Sequence, residues 1–248
     1  MARQRHLRNA PITEALIDFR VSQLGKPLNE ASLDLLKPGL QERYPTWQRQ
    51  DLVEARIEVK GPSIRQDATD KQFRGFFFTA RDERSIAQFR VDGFTYNRLK
   101  PYPSWEDILP EAISLWRLYV ETAAPVLVTR TAVRYINHLR LPFPERGLVQ
   151  YLAAPPVAPE GYPRFLSGFL TRVTLHEPEE GLAAIVTQAS EQGLEAAHLT
   201  IILDIDAFSD GEFIPGSDRL LSMLERLRAL KNGIFFGSLT EDAVRLFE

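Results

Sequence analysis

Between Val126 and Leu141, near the midpoint of the chain, side chains alternate in character with a period of two. Leu127, Thr129, Thr131, Val133, Tyr135, Asn137, Leu139 and Leu141 form one set, and Arg130, Arg134, His138 and Arg140 fall in the other. Successive residues of a strand point to opposite faces, so this period predicts a long strand with one face to the core and an outer face rich in arginine. The same alternation marks Thr13 to Val21, where Ala15, Ile17 and Phe19 interleave with Glu14, Asp18 and Arg20. It recurs in Asp51 to Lys60, where Val53, Ala55, Ile57 and Val59 interleave with Glu54, Arg56, Glu58 and Lys60. Lys71–Ala80 and Ser85–Val91 predict a hairpin, with Phe94–Leu99 extending or bending its second arm. Phe165–Leu175 and Leu182–Gln188 predict another, and Ala197–Ile205 a last strand.

Helical spacing takes over between these runs. Asn29 or Ser32 can cap a helix from about Glu30 to Tyr44, striped by Leu33, Leu36 and Leu40. Ser104 followed by Asp107 reads as a capping box ahead of Ile108, Ala112, Trp116, Tyr119 and Val120, with Pro110 expected to bend or restart the helix. Ser217 opens a second long helix striped by Leu220, Leu224, Leu227 and Leu230, with Gly233 in the place of a left-handed C-terminal cap. Arg146–Leu152 predicts a short helix within a proline-rich stretch, and Ser238 or Thr240 caps a last one.

Element order then suggests a repeat. Each half reads strand, helix, three strands, helix. The opening strands and the closing caps at Ser104 and Ser217 are offset by the same 113 residues. The division is a basic arm over 1–12, read as a solvated terminus, and two α+β halves over 13–124 and 125–248 that can form one continuous domain. The expected architecture is α+β, two pseudo-repeated β-α-β-β-β-α halves with curved antiparallel sheets and long helices on one face. That order resembles the helix-grip arrangement of TATA-binding-protein-like domains, a resemblance of topology that carries no function.

Composition narrows the function classes. A net charge of −3 over 248 residues disfavours non-specific nucleic-acid binding, which depends on neutralising many phosphates, and offers nothing to an acidic membrane surface. There is no cysteine, so disulfides, thiolate metal sites and cysteine nucleophiles are excluded. No apolar run approaches the ~18 residues of a membrane span, and MARQRHLRNAP lacks the apolar core of a secretory signal. A cytoplasmic protein is the expectation, with a homodimer compatible.

The candidate chemistry lies on the outer set of strand residues. Arg130, Arg134 and His138 share one strand face and could hold a carboxylate or phosphate, although cross-strand pairing of Arg134 with an acid competes with that role. Asp204 and Asp206 also share a face and are the only metal candidates, while the four histidines show no zinc spacing. No phosphate loop, GxSxG elbow or dinucleotide fingerprint occurs, and no cofactor is expected. Glu54 to Lys60 is similar to the ExExK strand of the triphosphate-tunnel family, whose acids bind metal and whose basic residues bind polyphosphate in an eight-stranded barrel. Glu58 and Lys60 fit that motif, but Arg56 stands where its first glutamate belongs.

Ala10–Ala15, Pro101–Trp105, Arg134–Asn137, Lys231–Asn232 with Phe235–Phe236, and Leu239–Glu241 together resemble a sporadically distributed bacterial family of about this length and of unknown function. The resemblance implies a bacterial cytosolic protein, and patchy distribution associates with mobile elements or defence systems. The resulting expectation is a non-catalytic binding or protein-interaction module with an unknown protein partner or a polar small ligand. A metal-dependent phosphohydrolase of the tunnel type and a nucleic-acid-binding saddle-like sheet are the alternatives.

Overall fold

The apolar faces of the alternating segments close over two long helices in a computed structural model. It describes residues 2–22, 25–26, 28–60, 63–145, 147–162, 168–191 and 198–248, without the side chains of 33, 53–60, 63–71 and 191. The strands are β1 (Ile12–Val21), β2 (Thr46–Lys60), β3 (Ser63–Thr79), β4 (Ser85–Arg90), β5 (Gly93–Leu99), β6 (Val128–Pro142), β7 (Leu170–Glu177), β8 (Leu182–Glu191) and β9 (His198–Phe213). The helices are α1 (Glu30–Asp34), α2 (Lys37–Leu40), α3 (Trp105–Ala123), α4 (Asp218–Ser238) and α5 (Glu241–Arg245). Among the described residues these strands make one curved antiparallel sheet in the order β2-β3-β4-β5-β1-β6-β9-β8-β7. No helix there is long and apolar enough to cross a membrane.

β1 and β6 pair at the middle of the sheet, with Ala15 opposite Tyr135, Ile17 opposite Val133 and Phe19 opposite Thr131, all buried on the helix-covered face. β6 feeds both hydrophobic clusters. Val128, Val133 and Tyr135 join α3, β1, β4 and β5 in one, while Leu139 and Leu141 join Leu203, Ile205, Phe235, Phe236 and Val244 in the other. A register shift between Val128 and Arg130 turns Val128 inward, so the buried face at that end starts there rather than at Leu127.

The caps follow the sequence. Ser104, Ser217 and Thr240 each accept a hydrogen bond from the backbone N–H three residues on. Several details differ. Phe94–Leu99 belongs to a separate strand, β5, after a two-residue turn at Val91–Asp92. Gly93, at φ +153°, lets the backbone come so close to the Phe19 carbonyl that a Cβ would lie 2.1 Å from its oxygen. The predicted helix 30–44 is two short ones, because Pro38 has no N–H to continue the first and is well placed in the opening turn of the second. Pro110 does not interrupt α3. It is exposed and removes only one backbone bond from the early, solvent-facing part of the helix. α4 passes through Gly233 to Ser238, because continuing the helix carries Phe235 and Phe236 into the second cluster.

The arm is docked on the C-terminal segment, although Arg3, Gln4, His6, Arg8 and Asn9 stay exposed to solvent. The Ala2 N–H donates to the Phe236 and Leu239 carbonyls, Leu7 is buried, and the Asn9 N–H donates to the Phe247 carbonyl. Arg5 pairs with Glu241 at 2.9 Å and with Glu248 at 2.5 Å.

Candidate functional site

Arg130 and Arg134, on the outer face of the sheet, each face an acid. The Arg134 guanidinium donates to both carboxylate oxygens of Asp204, at 2.9 and 2.6 Å. That bidentate bond holds its proton more firmly than usual against the opposing effect of burial. Arg130 donates to Asp206 at 2.8 Å and lies over the Phe208 ring, 4.5 Å from its centroid. Burial pushes the Asp206 carboxyl up, and Arg130 opposes the shift. Asp18 gathers Thr95 at 2.5 Å, Arg90 at 2.9 Å, Arg20 at 3.2 Å and Arg130 at 3.6 Å, and Arg20 continues to Asp92 at 2.9 Å. His138 follows Arg134 on the same face of β6.

This arrangement changes the reading of the metal candidates. The carboxylates of Asp204 and Asp206 are each held by a guanidinium. Among the described residues no group of three or more histidines and acids could hold a metal ion. Arg56, Glu58 and Lys60 lie in β2, and their side chains are outside the described residues. β2 is the edge of the sheet, five strands from β6, or ~24 Å at about 4.8 Å per strand, so they do not join Arg130, Arg134 and His138 in one site.

A second constellation lies on the helix-covered face. There a cavity of about 380 Å³ opens between the arm, the turn before α3, the middle of β6 and the second half of α4. α4 contributes Arg228, Lys231, Asn232 and Phe235, which helical spacing of three and four places on one side. β6 contributes Tyr135 and Asn137 from its inward set. Tyr102 comes from the turn before α3, and Trp105 is the first residue of that helix.

Lys231 is only 8% exposed, and its Nζ sits 3.7 Å from the centre of the Tyr135 ring. Among the described residues it makes no hydrogen bond or ion pair. Burial pushes its amine down to about 7, and the nearby Arg228 charge adds to the shift. The hydroxyls of Tyr135 and Tyr102 share a hydrogen bond of 2.7 Å. Burial pushes the Tyr102 hydroxyl up to about 12 and the Tyr135 hydroxyl well above its ordinary value. The Asn137 amide donates to the Leu203 carbonyl at 2.9 Å, tying β6 to β9 beneath the cavity. Arg228 bridges Glu106 at 2.9 Å and Glu225 at 3.5 Å, and Glu225 accepts the Trp105 indole N–H at 2.6 Å. The arm closes the far side with Arg5, His6 and Arg8.

Reading outer-face arginines as the principal candidates overlooks Lys231, although the chain holds the signal. Leu220, Leu224, Leu227 and Lys231 are spaced by four, three and four, so the lysine continues the buried stripe of its helix.

The lysine has a cost that can be measured. Its folded-state pKa is lowered, so between about pH 7 and 10.5 the unfolded chain binds more protons, and stability rises with pH across that window. Below it the full penalty of burying the ammonium remains. Lys231→Met is therefore expected to stabilise the fold by roughly 2 kcal/mol at neutral pH, with the gain vanishing above the upper limit. Urea melts across pH check this, and a destabilised variant at neutral pH would contradict it.

Neither a scan of protein-family models nor a search of curated proteins finds a match to this chain.

Proposed function

We propose that this protein is a non-catalytic binding module whose ligand site is the cavity between the arm, α3, β6 and α4. The observation that carries this reading is a difference in charge satisfaction. On the outer sheet face Arg20, Arg90, Arg130 and Arg134 each meet an aspartate. Lys231, buried at the cavity wall, meets none among the described residues. A cation held at that cost beside a cavity of metabolite size fits a site that awaits a partner.

The two-half reading of the chain gains support from strand order. β5, β4 and β3 lie outward from β1 as β9, β8 and β7 lie outward from β6, with β2 an additional edge strand that makes four strands, not three, between the helices of the first half, and the cavity sits where the closing helix of one half meets the start of the other. A saddle-like nucleic-acid surface would need outer arginines free for phosphates, and these are committed to neighbouring acids. A metal-dependent phosphohydrolase would need converging carboxylates, and Asp204 and Asp206 are engaged by Arg134 and Arg130. A protein partner on the outer face draws support from neither observation.

Purification from the native host, followed by native mass spectrometry, tests the proposal. Wild type and Arg134→Ala are expected to carry the same small molecule, and Asn232→Phe, which fills the cavity, is expected to lose it. A ligand that survives Asn232→Phe and leaves with Arg134→Ala would move the site to the outer face and end this reading.

A further inference from the structure

We propose that the cavity receives a small organic anion, its carboxylate or phosphate oxygen meeting Lys231 Nζ and its planar or apolar body lying along Tyr102, Trp105 and Phe235. The inference rests on the cavity being a ligand site and adds the chemical class of the ligand. The first support is Lys231, more than nine-tenths buried on the cavity wall, with the Tyr135 ring beneath it and no acid beside it among the described residues. A buried ammonium without a counter-ion is costly, and an anion supplied from solution removes that cost.

The sign of the walls is the second support. Arg5, Arg8 and Arg228 line the cavity with Lys231, against the single acid Glu106. Arg5 and Arg228 are paired with acids, which leaves Arg8 and Lys231 as the lining cations without one among the described residues. Glu106 is held by Arg228, Glu225 by Arg228 and the Trp105 indole, and Glu241 and Glu248 by Arg5. The aromatic walls are the third support, since they offer flat apolar surface to the rest of a ligand whose charged end faces the amine.

Capture of the anion then draws a proton. The charged and titratable groups around Lys231 are Arg228 on α4, Tyr135 on β6, Tyr102 before α3, Glu106 at its start, and Arg5, His6 and Arg8 on the arm. Of these, Arg228 disfavours the protonated amine, and a bound carboxylate or phosphate favours it. Affinity should therefore be greatest below about pH 7 and fall by up to about tenfold per pH unit above it, until the pKa of the occupied site is reached.

Benzoate and phenyl phosphate are suitable probes, with benzamide as the neutral control. Each is titrated calorimetrically into the full chain carrying His6→Gln, which keeps that imidazole out of the pH profile. The expected result is binding of both anions at least about tenfold tighter near pH 6 than near pH 8.5, with benzamide indifferent to pH. Lys231→Met should lose the anions, and Lys231→Arg should keep them at the higher pH, because a guanidinium retains its proton. The ratio of benzoate to phenyl phosphate affinity separates the two anion types. Equal binding of benzamide and benzoate would overturn the anion assignment while leaving the cavity a ligand site. Failure of both anions to bind would overturn it as well. The ligand-site reading itself fails only through the Asn232→Phe experiment.

Discussion

Trp116→Ala is expected to destabilise the fold by about 4 kcal/mol, the largest effect of any single truncation discussed for this chain. The indole is 1% exposed and lies at the centre of an aromatic stack, with ring centroids 4.5 Å from Phe19, 5.3 Å from Tyr119 and 6.2 Å from Phe94. Three rigid rings cannot collapse into the space it leaves, so the cavity term adds to the lost transfer energy. The indole N–H has no hydrogen-bond partner among the described residues. The loss is therefore one of packing, and Trp116→Phe, which also removes an unsatisfied donor, should cost only about 1 kcal/mol. For a chain of this size, 4 kcal/mol corresponds to a fall in Tm of about 8–16 °C. A fall no larger for Ala than for Phe would mean that the stack does not hold the first cluster together.

Asp18→Ala should come next, at about 3 kcal/mol. The carboxylate is only 13% exposed and is the common acceptor for Thr95, Arg90 and Arg20, with Arg130 within 3.6 Å. Its removal leaves three guanidinium groups facing one another with only Asp92 and Asp206 to balance them, and that penalty exceeds the loss of any one hydrogen bond. Because the residual term is like-charge repulsion, about 1 M salt should recover part of the loss. Arg134→Ala, at a more exposed position with a single acid partner, should cost no more than about 1 kcal/mol. Urea melts of both variants with and without salt are the check. An Asp18→Ala loss equal to that of Arg134→Ala would show the outer charges to be independent pairs instead of a network.

The alternation that predicts β1 and β6 is local, and so are the caps at Ser104, Ser217 and Thr240, which is why these elements can be read directly from the chain. What could not be read depends on distance. Arg134 lies opposite Asp206 across the ladder yet bonds Asp204, two residues earlier on β9, and only the register of the sheet reveals that choice. The arm looks like a solvated terminus because three arginines fall within its first eight residues, but the acids and carbonyls that hold it belong to residues 236–248. The cavity has the same difficulty in stronger form. Its walls come from four stretches, at 5–12, 102–106, 135–137 and 228–236, and none of them carries a recognisable motif alone. Lys231 was legible as a buried position, but its lack of a counter-ion was not.

The placement of β1 beside β6 bears on how the molecule comes apart. Along this seam the strands from β1 to β2 and those from β6 to β7 complete one sheet, and Leu230 of α4 touches both hydrophobic clusters. Opening the seam would strip hydrogen bonds from two strands at once and wet the Tyr135 side of the cavity in the same step. The cavity therefore lies at the joint that couples the two sides of the sheet, and an occupant there would act as a rivet whose contribution is shared by both.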